Sequence, residues 1–273
     1  MLGEDLTTAD AGTAPDSASL LDLLDLERIE PHLYRANVTI DEPFPLYGGQ
    51  VAAQALRAAG HTVDADRLPH SLHGYFLRPG NASQPTLFRV ECDRDGRSFS
   101  ARRVVALQQG KVIFNMSASF HVREQGPDAQ VPAMPAVTAP EHSRPYQLGR
   151  LQSFENRVVE QPYPDTSFPV RFWSRCTESP GEDELLHACV LAYLSDISSG
   201  VVAFNHPTHQ SSASLDHAVW FHRPVTTDEW VLMDLVPRSI SNGRGWYTGS
   251  LFQRDGSLVA SLAQENLFRA QKS

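Results

Sequence analysis

The phrase Ser214-Leu215-Asp216-His217 sets a hydroxyl, a carboxylate and an imidazole within four residues. These are the side-chain types of a nucleophile, an orienting acid and a general base. Spacing argues against a relay among them. Along one strand, side chains alternate between faces, so Ser214, Asp216, Ala218 and Trp220 are expected on one face and Leu215, His217, Val219 and Phe221 on the other. Asp216 then cannot aim His217 at Ser214. No G-x-S-x-G elbow occurs, which argues against an α/β-hydrolase. Among eleven histidines, close pairs such as His206/His209 and His217/His222 invite a metal search. Neither has a third ligand in a helical frame, so no metal site is expected. The three cysteines, Cys92, Cys176 and Cys189, are isolated and read as buried, reduced thiols. Around Gly243, "GRGWYTG" lacks the dinucleotide-loop spacing, and no cofactor is expected.

Three polar residues, Gln264, Ser214 and Asp196, can also be read by position alone, and none persuades singly. Gln264 ends the apolar face Leu258, Ala260, Leu262 of "SLVASLAQENLF", where an unpaired amide would cost about 1–3 kcal/mol. Ser214 opens a strand, a place where serines ordinarily bond their own backbone. Asp196 closes the apolar helix ending "YLSD", at the negative end of the helix dipole, an unhelpful place for stability. Each has an ordinary reading: a water-capped glutamine, a strand-start serine, an exposed helix-end aspartate.

The elements that would carry these residues are written twice. Ser71 falls on Ser214, Arg78-Pro79 on Arg223-Pro224, Gly96-Arg97 on Gly243-Arg244 and Gly110 on Gly256, each displaced by about 145 residues, the mark of an internal repeat. Each copy reads as one helix followed by four strands. The first helix is Gly48–Gly60, with the stripe Val51, Ala52, Ala55, Leu56, Ala59 at helical spacing. Its strands are expected near 70–78, 85–93, 97–108 and 111–122. The second helix is Asp183–Asp196, with strands near 213–222, 229–238, 245–254 and 257–268. "RDGR", "QQGK", "SNGR" and "RDGS" supply the hairpin turns.

The division expected is a flexible N-terminal tail at 1–30, a first unit at 31–122, a Pro-rich linker at 123–150 and a second unit at 151–270. Five prolines between Pro127 and Pro145 exclude a central strand from that linker. With 273 residues, 41% hydrophobic and 20% charged, the chain is of the globular class. A net charge of −9 works against nucleic-acid binding. Apolar runs read as shorter than the roughly 20 residues of a membrane helix, so no membrane span is expected. The acidic N-terminus lacks a signal-like pattern, leaving the cytoplasm as the expected location.

"PLYGGQVAAQAL", "HSLHGYFLRPG", "LHACVLAYLSD", "ASLDHAVWFHRP" and "RDGSLVASLAQE" together resemble the type II acyl-CoA thioesterases over about Leu33 to Arg269. The resemblance implies an α+β double-hotdog fold, two helix-wrapped antiparallel sheets fused in one chain. It also implies hydrolysis of fatty acyl-CoA to fatty acid and CoA, with Asp196, Ser214 and Gln264 jointly holding the attacking water. Asp196 would be its base, with a pKa raised by burial, and Ser214 and Gln264 would orient it. The match departs at "QEN", where Asn266 replaces the usual glycine. Carrying Gln264 back one repeat gives Ala118, and Gln50 to Gly60 offers no carboxylate to match Asp196. The frame is doubled while the chemistry is assigned to the second copy. The rival readings are a hotdog enoyl-CoA hydratase and a non-catalytic acyl-CoA sensor. Outer sheet edges left over by a fused pair predict a further homo-oligomer.

Overall fold

The computed structural model describes residues 18–39, 44–149, 151–163, 166, 168–204 and 206–270. Its centre is one antiparallel sheet. The first half contributes β1 (Glu27–Glu30), β2 (Leu33–Ala36), β3 (Arg67–Phe76), β4 (Thr86–Asp95), β5 (Phe99–Gln108) and β6 (Lys111–Val122). The second contributes β7 (Arg144–Tyr146), β8 (Phe154–Val158), β9 (Arg171–Cys176), β10 (His209–Ser214), β11 (Asp216–Phe221), β12 (Val231–Ser241), β13 (Arg244–Gln253) and β14 (Leu258–Ala270). Their order across the sheet is β1-β2-β4-β5-β6-β3-β11-β14-β13-β12-β9-β8-β7, with β10 also on β14. The halves meet where β3 pairs β11, His73 opposite Ala218. Outward from that seam the sequence of matched strands is the same on both sides.

The hairpins form where the sequence asks for positive φ. Gly110, Gly243 and Gly256 take φ of 73°, 70° and 89°, a region open to glycine without steric cost. Pro69 and Pro237 fall inside strands but at register shifts, where a missing N–H is tolerated.

Helix α2 (Gly48–Gly60) packs on β3 to β6 and on α3 (Glu184–Ser195). The small residues of α2 let the two helices approach closely. A side chain at Gly60 would collide with Leu185, and one at Gly49 with the carbonyl of Tyr193. The contacts run the helices antiparallel, with the Arg57–Asp183 ion pair at 2.8 Å near one end and the Tyr47 hydroxyl donating to the Tyr193 carbonyl at 3.0 Å near the other. Leu56 and Leu191 between these layers are fully buried, each worth about 1.5–3 kcal/mol of transfer free energy.

Several expectations need correction. Residues 1–17 of the expected tail lie outside the described residues, but the tail cannot extend to residue 30. Ser19 caps a short helix, α1 (Leu20–Leu24), whose Leu20, Leu23 and Leu24 are buried. The buried Gln54 of α2 donates to Leu23 O at 2.7 Å, and β1 joins the sheet. The Pro-rich crossing ends in an edge strand, β7, consistent with Pro145 at an edge. Cys92 is exposed, while Cys176 and Cys189 are buried, and burial pushes their thiols up to about 11 and about 12. One run, Glu184–Phe204, does reach the length and apolarity of a bilayer span. It is a bent core element instead: α3 followed by a 3-10 turn, Ser198–Phe204.

Candidate active site

Asp183 caps α3 by accepting from Leu186 N at 2.9 Å, and at the far end Asp196 stands as the C-cap. Asp196 is almost wholly buried, at 3% exposure. Its Oδ1 accepts from Ser214 Oγ at 2.9 Å and from Gln264 Nε2 at 2.7 Å. Gln264 Nε2 also donates to Ser214 Oγ at 2.8 Å. The three residues come from a helix end, the end of β10 and the middle of β14, and they meet in one hydrogen-bonded triangle. A buried carboxylate needs such donors to remain charged at tolerable cost.

The fourth participant comes from the other half of the chain. A Cβ on Gly48 would collide with Asp196 Oδ2 and with the ring of Phe76. Asp196 therefore sits directly over the first residue of α2. It occupies the negative end of one helix and the positive end of another, and the second contact offsets the first. The unhelpful position read from the sequence is relieved only by the tertiary fold.

Ser214 corrects the alternation argument. The chain breaks pairing at Leu215, between β10 and β11. Leu215 donates to Glu265 O and its carbonyl accepts from Phe76 N, at 2.8 and 2.9 Å. Across this break Ser214 and His217 both turn inward, while Ala218 and Trp220 keep the outer face. Asp216 points away from the triangle and accepts from Glu265 N at 2.7 Å.

His217 stands behind the triangle, 1% exposed. Its Nε2 lies 2.7 Å from Ser195 Oγ, and its ring faces the carboxamide of Gln264. In the resting arrangement neither its Nδ1 nor Gln264 Oε1 makes a well-formed hydrogen bond. Burial pushes the imidazole down to about 4, so it is neutral at ordinary pH and holds no charge next to Asp196. Sequence reasoning missed this placement because it assumed an unbroken strand.

The other histidines resolve differently. His187 is a satisfied core residue, with Nδ1 2.9 Å from Thr227 Oγ1 and Nε2 3.0 Å from Gly181 O. His206 and His209 pack edge to face at the end of β10.

Comparison with known proteins identifies both halves of the chain. An acyl-CoA thioesterase N-terminal domain model matches residues 41–121, and an acyl-CoA thioesterase C-terminal domain model matches 127–268. The chain is 33% identical to acyl-CoA thioesterase 2 of Haemophilus influenzae, over 92% of this chain and 97% of that one. It is similar to the crystal structure of an acyl-CoA thioesterase II from Mycobacterium marinum, with 39% identity, a TM-score of 0.80 and coverage of 93% and 98%. A hot dog fold protein from Alicyclobacillus acidocaldarius, 18% identical, superposes with a TM-score of 0.77 over 94% and 100% of the two chains, which speaks to the fold alone. With both halves matched in order and the sheet shared throughout, the chain belongs to the acyl-CoA thioesterase family.

Proposed function

We propose that this protein hydrolyses fatty acyl-CoA thioesters to free fatty acid and CoA through a water activated by Asp196 and positioned by Ser214 and Gln264. The observation that carries the reading is the convergence of both donors on a single carboxylate oxygen, Oδ1. With that oxygen held, the carboxylate cannot rotate, and the water it binds is presented in a fixed direction. Asp196 takes a proton from the water as its oxygen attacks the thioester carbonyl carbon. The tetrahedral intermediate then expels the CoA thiolate, an adequate leaving group without metal or covalent relay. The N-terminus of α2, beside Asp196, is the natural source of N–H groups for the developing oxyanion.

Around that site we read the chain as a double hotdog, with units at about 31–122 and 151–270. The strand order on the two sides of the β3–β11 seam supports this. Further self-association is part of the same proposal, and the exposed rings of Tyr75 and Trp220 on the seam strands are apolar surface it could cover. Light scattering that finds only monomer at micromolar concentration would reject it. The cytoplasm is the proposed location.

The decisive test is hydrolysis of acyl-CoAs from short to long chain, with free thiol detected, in wild type and Asp196→Asn. Turnover that survives Asp196→Asn, or an acyl group trapped on Ser214, would replace water activation with a covalent mechanism. Binding without release of thiol in a single-turnover experiment would make the protein a sensor.

A further inference from the structure

The inner face of β14 continues past Gln264. Two residues on, Asn266 is completely buried, opposite Ser214 on β10 and Gly245 on β13. Directly opposed residues hold their Cβ atoms about 5 Å apart on the same face, so Asn266 adjoins two members of the triangle. Neither its Nδ2 nor its Oδ1 has a hydrogen-bond partner among the described residues. A buried amide left in that condition costs about 1–3 kcal/mol, and such groups call for a bound water or ligand.

Two residues further along the same face, Phe268 borders an open cleft of about 210 Å³. His206, His209 and Arg244 also line it, and His209 stacks on Phe268 with planes 14° apart. Arg269 reaches the rim, donating to Gly243 O at 3.1 Å. Arg244 is paired with Glu265, whereas Arg269 has no carboxylate partner among the described residues. Gln264, Asn266 and Phe268 thus step from the carboxylate to a basic, aromatic cleft at intervals of about 7 Å.

We infer that this row is the track of the CoA arm. The thioester lies at Asp196 and Gln264. The first amide of the pantetheine arm, two methylenes beyond the sulfur, pairs with Asn266, whose Nδ2 donates to its carbonyl oxygen. The phosphate-bearing nucleotide end reaches the cleft of His206, His209 and Arg269. The 3-10 turn Ser198–Phe204 closes over this stretch, with Gly200 against Tyr247 and Val201 against Gly245, and the arm enters by displacing it. The inference rests on the thioesterase reading above.

Three thioesters of one acyl group separate the parts of the track: the CoA ester, the N-acetylcysteamine ester and the ethanethiol ester, which lacks the amide. Wild type should favour the N-acetylcysteamine ester over the ethanethiol ester by about tenfold or more, the scale set by a buried polar group left unpaired. In Asn266→Gly that ratio should collapse to within about threefold, mainly through KM. His209→Ala combined with Arg269→Ala should lower kcat/KM for the CoA ester by about tenfold and hardly change it for the N-acetylcysteamine ester. Asn266→Ala and melting curves guard against a folding defect. A ratio retained in both Asn266 variants would make the amide a water-satisfied structural group and overturn the inference. So would a shift in chain-length preference instead, which would place the acyl chain on this row. If wild type hydrolyses none of the three esters, the thioesterase reading fails separately. Calorimetric affinity for free CoA then still tests the track, which falls if Asn266→Gly and the cleft variant bind like wild type.

Discussion

Outward from the β3–β11 seam, β6, β5 and β4 on one side answer to β14, β13 and β12 on the other, yet the two inner faces differ in kind. On β6 the buried residues are Ile113, Phe114, Met116, Ala118 and Phe120, all apolar. On β14 the run Ala260, Leu262, Gln264, Asn266, Phe268 is buried with two amides in its middle. The first half does bury a strong polar group, Arg102, but satisfies it: its guanidinium donates to Thr62 Oγ1 and O, to Asp95, and to the carbonyls of Arg94 and Ala101. In the second half Gln264 Oε1, His217 Nδ1 and both amide atoms of Asn266 are left open. A saturated buried polar group ties down structure. Gln54 Oε1 on α2 is open too, so what marks the second half is that its open groups gather beside Asp196.

The largest effect should come from Asp196→Asn, which preserves shape and removes the base: thiol release should fall by about 10²-fold or more. Gly48→Ala tests the first half's share. Its methyl would press on Asp196 Oδ2 and Phe76, and the displaced carboxylate should cost between about tenfold and 10²-fold in kcat. Smaller losses are expected for Gln264→Ala, about tenfold, and for Ser214→Ala, less again. Combined, they should multiply to less than the product, because both act on one water. Thermal melts as a function of pH check His217. Burial holds its imidazole neutral to about 4, so the unfolded chain, with a pKa near 6.5, takes up the proton first. Stability should therefore fall as pH drops from about 6.5 towards 4, and His217→Asn should flatten that slope. Last, Ser71→Ala, at the buried position that repeats Ser214, should leave kcat within about twofold, because the first half has no counterpart of Asp196 or Gln264 for it to act with. A loss comparable to that of Ser214→Ala would erase the contrast between the halves.

Much of this frame could be read in the chain. The eight strands read from the repeat are β3 to β6 and β11 to β14, and both major helices fall where their apolar stripes and caps put them. The short strands β1, β2 and β7 to β10 went unread, because three to six residues carry too little periodicity to separate them from loop. Asp196, Ser214 and Gln264 were named from resemblance and single positions; their convergence depends on long-range pairing that spacing does not encode. His217 was misplaced by the break at Leu215, a local departure from alternation with no glycine or proline to announce it.

The contact of Gly48 with Asp196 constrains how the doubled chain can change. Although the first half carries none of the triangle, it cannot drift as a mere scaffold, since its helix end forms the floor beneath the other half's carboxylate. Cutting the chain within the exposed crossing after Val122 would produce two fragments, each with its own helix and strands. Neither fragment would hold a complete pocket, and activity would return only as they re-pair along β3 and β11. Such a split protein would report reassembly of the seam by its turnover, making the reaction itself a sensor of association between the halves.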